Sequence, residues 1–294
     1  MMKQSIILVV TLVIMFYACL MAQSVQRDSV NSPDTAHIQP ENGIDLDPLE
    51  KSMDYDTLRK LPNPAFGVGE YLRFDVDYGF ITAGDAVMKI SDTAYNGRSC
   101  YKIEFTVTSK PFFNWIYKVE DRYVSIIDAE GLFPWRFEQH IREGSFSRDF
   151  TADFDQLQHL AITSEGQYPI PPYVHDVMSA FYYSRTIDYS NFRPGQKVQL
   201  QNFYKDSTYE LSVKFKGRQT IEVDAGKFRC IIVEPLVKEG GLFKSDGQIY
   251  VWFTDDERKI PIKVKTKIPI GSIDSDLVEY RGINGAIHAK IEEN

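Results

Sequence analysis

From Tyr71 onward the chain alternates apolar and polar residues. In YLRFDVDY, Leu72, Phe74, Val76 and Tyr78 fall on one side of an extended backbone, and Arg73, Asp75 and Asp77 on the other. Period two marks a strand with one covered face and one wet face. DAVMKIS follows, then CYKIEFTVT, where Tyr101, Ile103, Phe105 and Val107 share a face, then RYVSIID, PWRFEQHI and FTADF. Gly-, Asp- and Asn-bearing turns such as AYNGRS and DAEGLF separate them, which predicts an antiparallel meander. A second series has the same texture: KVQLQNF, YELSVKFKG, RQTIEVD, RCIIVEP, QIYVWFTD, IPIKVKTKI and SDLVEYRG. Its basic triplet Lys263, Lys265 and Lys267 reads as a solvated strand face that discourages edge pairing, or as a strip for an anionic headgroup.

One passage breaks this rhythm. In IPPYVHDVMSAFYYSRT, Val174, Val177, Met178 and Phe181 recur at helical spacing and Arg185 continues the stripe. Pro171 and Pro172 suit a helix start, where a missing N–H costs nothing. The spacing predicts one amphipathic helix over 171–187, its stripe buried on the dry face of the sheet.

The segments 123–150 and 250–277 align without a gap. Tyr123, Val124, Asp128, Glu130, Pro134, Ile141, Gly144, Ser145 and Asp149 recur as Tyr250, Val251, Asp255, Glu257, Pro261, Ile268, Gly271, Ser272 and Asp276. The recurring residues are mostly turn chemistry, and proline at a strand start lacks only a donor it does not need. The expected architecture is therefore mainly β. Two duplicated β-meander halves, 67–165 and 193–285, form one curved antiparallel sheet or half-barrel, with the helix packed on its concave face, in a single domain over 67–287.

Residues 1–22 read as a signal peptide: Lys3 precedes an almost wholly apolar run from Ile6 to Ala22. Three fates are open: cleavage after Ala22, lipidation at Cys19, or retention as an anchor, since the run is near the lower limit for a span. All three export the rest of the chain, which places it in the periplasm or outer cell envelope. Residues 23–66 are polar and carry five prolines, Pro33, Pro40, Pro48, Pro62 and Pro64, as in a flexible linker. Cys100 and Cys230 read as buried thiols acting as small hydrophobes, or as a disulfide.

The 294 residues carry a net charge of −8, which argues against general nucleic-acid binding. The five histidines form no HxH or HExxH pair, so no metal site or cofactor is expected. His175 and Asp176 open the helix beside Tyr173, yet adjacent helical residues point about 100° apart and do not make a dyad. In KPFFNWIYKVEDRY, Phe112, Phe113, Trp115 and Tyr117 crowd together. They read as an aromatic lip for an acyl chain or a membrane surface, or as rings that fill the core. GGLFKSDG at 240–247 holds the corresponding place before the second hairpin.

The blocks GEYLRFDVDYGFITAG, PFFNWIYKVEDRYVSIID, PPYVHDVMSAFYYSRT, GKFRCIIVEPLV and VWFTDDERKIPIKVKTKIPIGSIDSDLVEY resemble the bacterial domain of unknown function 3108 family, over roughly residues 65–285. The resemblance implies a secreted or periplasmic β-rich protein of Gram-negative type and no settled activity. The architecture is also similar to the half-barrels of periplasmic lipoprotein carriers. The leading expectation is a non-enzymatic envelope protein that binds a hydrophobic ligand, a lipid or acyl chain, in a sheet/helix groove. Its candidate contacts are Phe112, Phe113, Trp115, Tyr117, Tyr173, His175, Phe181 and Arg185, with possible peripheral membrane contact. The alternatives are an assembly factor that engages another envelope protein, and a hydrolase built on His175 and Asp176.

Overall fold

A computed structural model describes residues 57–115, 117–237, 249–268 and 271–292. The signal peptide, Cys19, the linker up to residue 56 and the segment 240–247 lie outside the described residues. The first series of strands is β1 (Tyr71–Tyr78), β2 (Ile81–Tyr95), β3 (Arg98–Ser109), β4 (Glu120–Asp128), β5 (Pro134–Glu143), β6 (Phe146–Asp155), β7 (Leu160–Thr163) and β8 (Gly166–Pro169). A helix, α1 (Val177–Ser184), leads to the second: β9 (Lys197–Tyr204), β10 (Ser207–Val223), β11 (Gly226–Val237), β12 (Ile249–Thr254), β13 (Pro261–Lys267), β14 (Ser272–Arg281) and β15 (Lys290–Ile291).

The strands form one antiparallel sheet in the order β8-β7-β6-β5-β4-β3-β2-β1-β14-β13-β12-β11-β10-β9, with β15 beside β11. Alternation decides which face is covered. Leu72, Phe74 and Val76 of β1, Ala86, Met88 and Ile90 of β2, and Ile103, Phe105 and Val107 of β3 all turn into one core. The sheet curls until its two edges meet. Rings of β6 and β8 touch rings of β9: Phe154–Phe203 at 5.8 Å, Tyr168–Phe203 at 6.1 Å and Phe150–Tyr204 at 6.1 Å between centroids. The connector after β8 lies along the β9 edge, where His175 N donates to Gln201 O at 2.9 Å and Phe203 N to His175 O at 2.7 Å.

The expected halves, 67–165 and 193–285, share a sequence of turns but are not confirmed as copies. Ile127 stands opposite Pro134, and Phe253 opposite Pro261. Counted from these pairs, buried Tyr123 corresponds to buried Ile249, and Tyr250 falls on the other face beside Lys216 and Lys267. A slip of one residue reverses every side chain. The turns differ too. Asp128 Oδ1 accepts from Glu130 N and Gly131 N, whereas Asp256 Oδ1, and not that of Asp255, accepts from Arg258 N and Lys259 N. Glu143 faces Phe146 across one turn, and Lys267 faces Ser272 across the longer 268–271. The basic triplet also resolves: Lys263 pairs with Asp276 at 2.8 Å and Lys265 with Asp274 at 3.2 Å.

Two stretches of the second series, YELSVKFKG and RQTIEVD, merge into the single strand β10. Gly217 does not end a strand there. It takes up a bulge between Phe215 and Gly217, at φ 140, where a side chain is strained.

Helix α1 is shorter than the expected 171–187. Pro171 starts a turn closed by Val174 N to Pro171 O, Tyr173 sits at φ 57, and His175 joins the β9 edge. The helix begins only at Asp176, whose Oδ1 accepts from Met178 N at 2.7 Å and Ser179 N at 3.0 Å. A carboxylate at this position satisfies donors that the first turn leaves open. Met178, Ala180 and Tyr182 are buried, as are Ser179 and Ser184, so the helix plugs the curled sheet and is covered on most sides. Each large apolar side chain so buried contributes roughly 1.5–3 kcal/mol.

The end of the expected linker is docked. Leu58, Ala65 and Phe66 are buried, and Leu61 N donates to Glu130 O at 2.8 Å. Its apolar residues are few, but Leu58 packs with Cys100, Phe133 and Trp135, and Ala65 and Phe66 join the main core. Among the described residues no helix is long and apolar enough to cross a membrane.

Candidate functional site

A cavity of about 60 Å³ lies between α1 and the inner face of β1, β2, β3, β13 and β14. Phe74, Ala86, Met88, Phe105, Val264 and Ile273 line it from the sheet, and Phe181 from the helix. Of the expected ligand contacts, only Phe181 reaches it.

A second, open cleft of about 400 Å³ runs along the β9 side. Arg59, Tyr173, His175, Tyr183, Gln199, Gln201 and Glu210 line it. The Arg59 guanidinium carbon sits 4.5 Å from the Tyr173 ring centre and 5.3 Å from that of Tyr183. Its Nε donates to Gly131 O at 2.8 Å and its Nη2 to Leu132 O at 3.1 Å. Partial burial lowers its pKa, against the attraction of nearby Tyr183, Tyr173 and Asp128. Arg59 was missed in the sequence because it stands in a polar, proline-rich stretch with no motif around it.

His175 and Asp176 are adjacent but act apart. Burial drives the His175 pKa down to about 3, so the imidazole is neutral and a very weak base. Its Nδ1 lies 3.3 Å from Ser179 Oγ, and its ring packs 4.8 Å from Tyr183. Asp176 Oδ2 accepts from Ser125 Oγ at 2.7 Å while Oδ1 caps the helix. Burial raises the Asp176 pKa to about 6, against these hydrogen bonds. The pair thus serves as helix cap and packed ring, and the two side chains engage different partners and not one another.

Arg185, an expected ligand contact, is a buried tie. Its Nη1 and Nη2 donate to Glu70 Oε1 at 2.6 Å and Oε2 at 2.8 Å. Nε donates to Lys259 O at 3.0 Å, and Nη2 also lies 3.2–3.3 Å from Arg258 O and Ala65 O. Burial alone would lower its pKa, but Glu70 more than compensates and the net shift is upward. All five contacts are made inside the protein, and the side chain is fully buried.

The aromatic segment forms the β3–β4 loop at one end of the barrel. Phe112 and Trp115 are exposed, and Phe113 is half-buried against Phe112. Tyr117 turns inward, and its hydroxyl donates to Glu143 Oε2 at 3.3 Å. The four rings therefore split between surface and platform. Beneath Tyr117 lies an acid pair that no spacing in the sequence singles out. Asp121 and Glu143 are both buried, and Asp121 Oδ1 accepts from Arg142 N at 2.9 Å. Asp121 Oδ2 and Glu143 Oε1 find no donor among the described residues. Burial, and for Glu143 also the Asp121 charge, pushes both carboxyls well above the usual range.

Cys100 and Cys230 are both free and buried, and burial pushes each thiol up to about 12. Among the described residues no group of three or more His, Cys, Asp or Glu is placed to hold a metal ion.

Several solved structures are similar to this chain. One is a β-barrel-like protein of the domain of unknown function 1849 from Brucella abortus, with 10% identity, 76% of this chain and 98% of that chain covered, and a TM-score of 0.49. Another is a "putative lipoprotein" from Parabacteroides distasonis, with 10% identity, 74% and 97% covered, and a TM-score of 0.33. No curated protein matches the chain. The model of the family described as Protein of unknown function (DUF3108) matches residues 73–278, and the chain belongs to that family.

Proposed function

We propose that this is a non-catalytic protein of the cell envelope, exported by its N-terminal leader, that receives an apolar chain segment between α1 and the sheet. The observation that carries this reading is the cavity lined by Phe74, Met88, Phe105 and Phe181. Its lining is mostly apolar, with Thr266 and Ser275 as the polar members, and apolar cavities accept apolar guests. At about 60 Å³ it is small. An engineered cavity that takes benzene has about 150 Å³. Occupancy therefore requires the half-buried Phe181 ring to swing away, with Met88 repacking around the guest. The assembly-factor reading draws less support: part of the β9 edge is bridged by His175, and β8 at the other edge is only four residues long.

The test is titration with a fluorescent fatty acid, together with native mass spectrometry of protein taken from the envelope fraction. The wild type binds one equivalent. Phe181→Ala opens the site and binds more tightly, and Ala86→Leu fills it and binds at least tenfold more weakly. Absence of binding by both the wild type and Phe181→Ala would overturn the reading.

A further inference from the structure

The aromatic loop does not stand alone. The β1–β2 turn at 79–80, the β3–β4 loop and the β5–β6 turn at 144–145 all lie at one end of the barrel, because successive connections of a meander alternate ends. Hydrogen bonds knit them side by side. Lys110 N donates to Ala83 O at 2.8 Å, and Gly144 N to Lys118 O at 2.8 Å. Each carries exposed apolar side chains: Phe80 is 98% exposed, Ile81 45%, Phe112 71%, Trp115 73% and Phe146 46%. These are five of the seven exposed large apolar residues among the described residues.

We infer that this end of the barrel seats on a lipid bilayer, with Phe80, Phe112 and Trp115 inserted at the headgroup level. Charge does not oppose lipid as the occupant. In a chain of net charge −8, the segments 79–84, 109–119 and 144–147 contain no Asp or Glu, and their lysines, Lys110 and Lys118, pair with Asp85 at 2.6 Å and Glu120 at 2.8 Å just behind the rings. Aromatic rings with lysines at their flanks are the composition that settles at a membrane–water interface. The rings are also held in place. Phe113 N donates to Lys110 O, Asn114 N to Pro111 O and Tyr117 N to Phe113 O. The loop is pinned below by Tyr117 on Glu143 and by Lys110 on Asp85 at 2.6 Å. Presentation on a built platform lowers the ordering cost of insertion. The inference rests on export to a compartment with a bilayer in reach, and it is independent of whether the cavity beside α1 is occupied.

The test uses the full chain and vesicles of phosphatidylethanolamine and phosphatidylglycerol, with bromine on the acyl chains of a second set. Trp135 is buried and Trp252 half-buried, so quenching by bromine reports mainly on Trp115. The expected result is quenching that Trp115→Phe abolishes while binding persists. The triple variant F80S/F112S/W115S partitions at least a hundredfold more weakly, since burying one large ring changes partitioning roughly tenfold or more. Its urea midpoint matches the wild type, because these rings support no core. The leader is common to both chains, so it does not account for a difference between them. Unquenched Trp115, or unchanged partitioning of the triple variant, overturns the inference. So does a photoreactive residue at position 112 that crosslinks in envelopes to protein and not to lipid. Retention of fatty-acid binding by the triple variant keeps this outcome separate from that of the cavity.

Discussion

Removing the charge of Glu70 is the sharpest test of how the barrel is held around its helix. Glu70 precedes β1, and Arg185 follows α1. Both are buried, and the two carboxylate oxygens take two of the five guanidinium bonds at 2.6 and 2.8 Å. The ring faces of Phe66 and Tyr182 lie 5.4 and 5.1 Å from the guanidinium carbon. Glu70→Gln keeps the shape but leaves a buried cation without its counter-ion and turns an amide NH2 toward its donors. Breaking a buried pair from one side costs about 3–5 kcal/mol. With a urea slope of about 2–3 kcal/mol/M for a domain of this size, the midpoint falls by roughly 1–2 M. Arg185→Met costs at least as much, because it strands Glu70 and also the carbonyls of Ala65, Arg258 and Lys259. Lys60→Gln is the control. Its partner Glu130 lies 3.1 Å away, but both are more than half exposed, so the pair contributes less than about 1 kcal/mol. Urea unfolding followed by near-UV circular dichroism at pH 7 reads all three. A Glu70→Gln midpoint within about 0.3 M of the wild type, at that slope, would refute the account of Arg185 as the tie between helix and sheet.

Asp176→Ala should destabilise by about 2 kcal/mol or more in the same assay, since a lost N-cap costs roughly 0.5–2 kcal/mol and Ser125 loses its partner inside the core. The acid pair predicts a pH dependence. The Glu143 carboxyl is raised by burial and by Asp121, so the folded chain keeps a proton that the unfolded chain releases near 4.5. Stability should therefore fall as pH rises from about 4.5 to about 8, and Glu143→Gln should flatten that fall. Urea midpoints at pH 5, 7 and 9 check this, and equal slopes in the two proteins would contradict it. Gly282→Ala should cost roughly 2 kcal/mol or more: a Cβ there would lie 1.9 Å from Gly69 O, at φ 68, and thermal melts of the variant read the loss.

Period two made nearly every long strand legible, because each has one dry face and its neighbours are close in sequence. The short β7 and β8 were not, since four residues carry too little alternation. The helix was legible but too long. Its stripe continues through Val174 into a segment whose backbone is committed to the β9 edge, and apolar spacing cannot tell buried extended chain from buried helix. Arg185 looked like a ligand contact because its partner, Glu70, lies 115 residues away and has no local signature. Asp121 and Glu143 stayed hidden for the same reason, each on its own strand and 22 positions apart. The ungapped hairpin match does not by itself establish two copies, because turn residues recur wherever turns are alike, while register depends on one residue more or less.

The pairing of β1 with β14 sets Tyr71 opposite Arg281 at the middle of the sheet. A seam between positions about two hundred apart cannot close until almost the whole chain has emerged, and its loop entropy is met before any of its contacts repay it. Each arm can zip outward by local hairpins while synthesis or translocation continues. The β1–β14 seam joins last, so slow, late maturation, with exposed strand borders in the interval, is built into the topology, and a chain cut short before Ser272 lacks the strand that completes that seam.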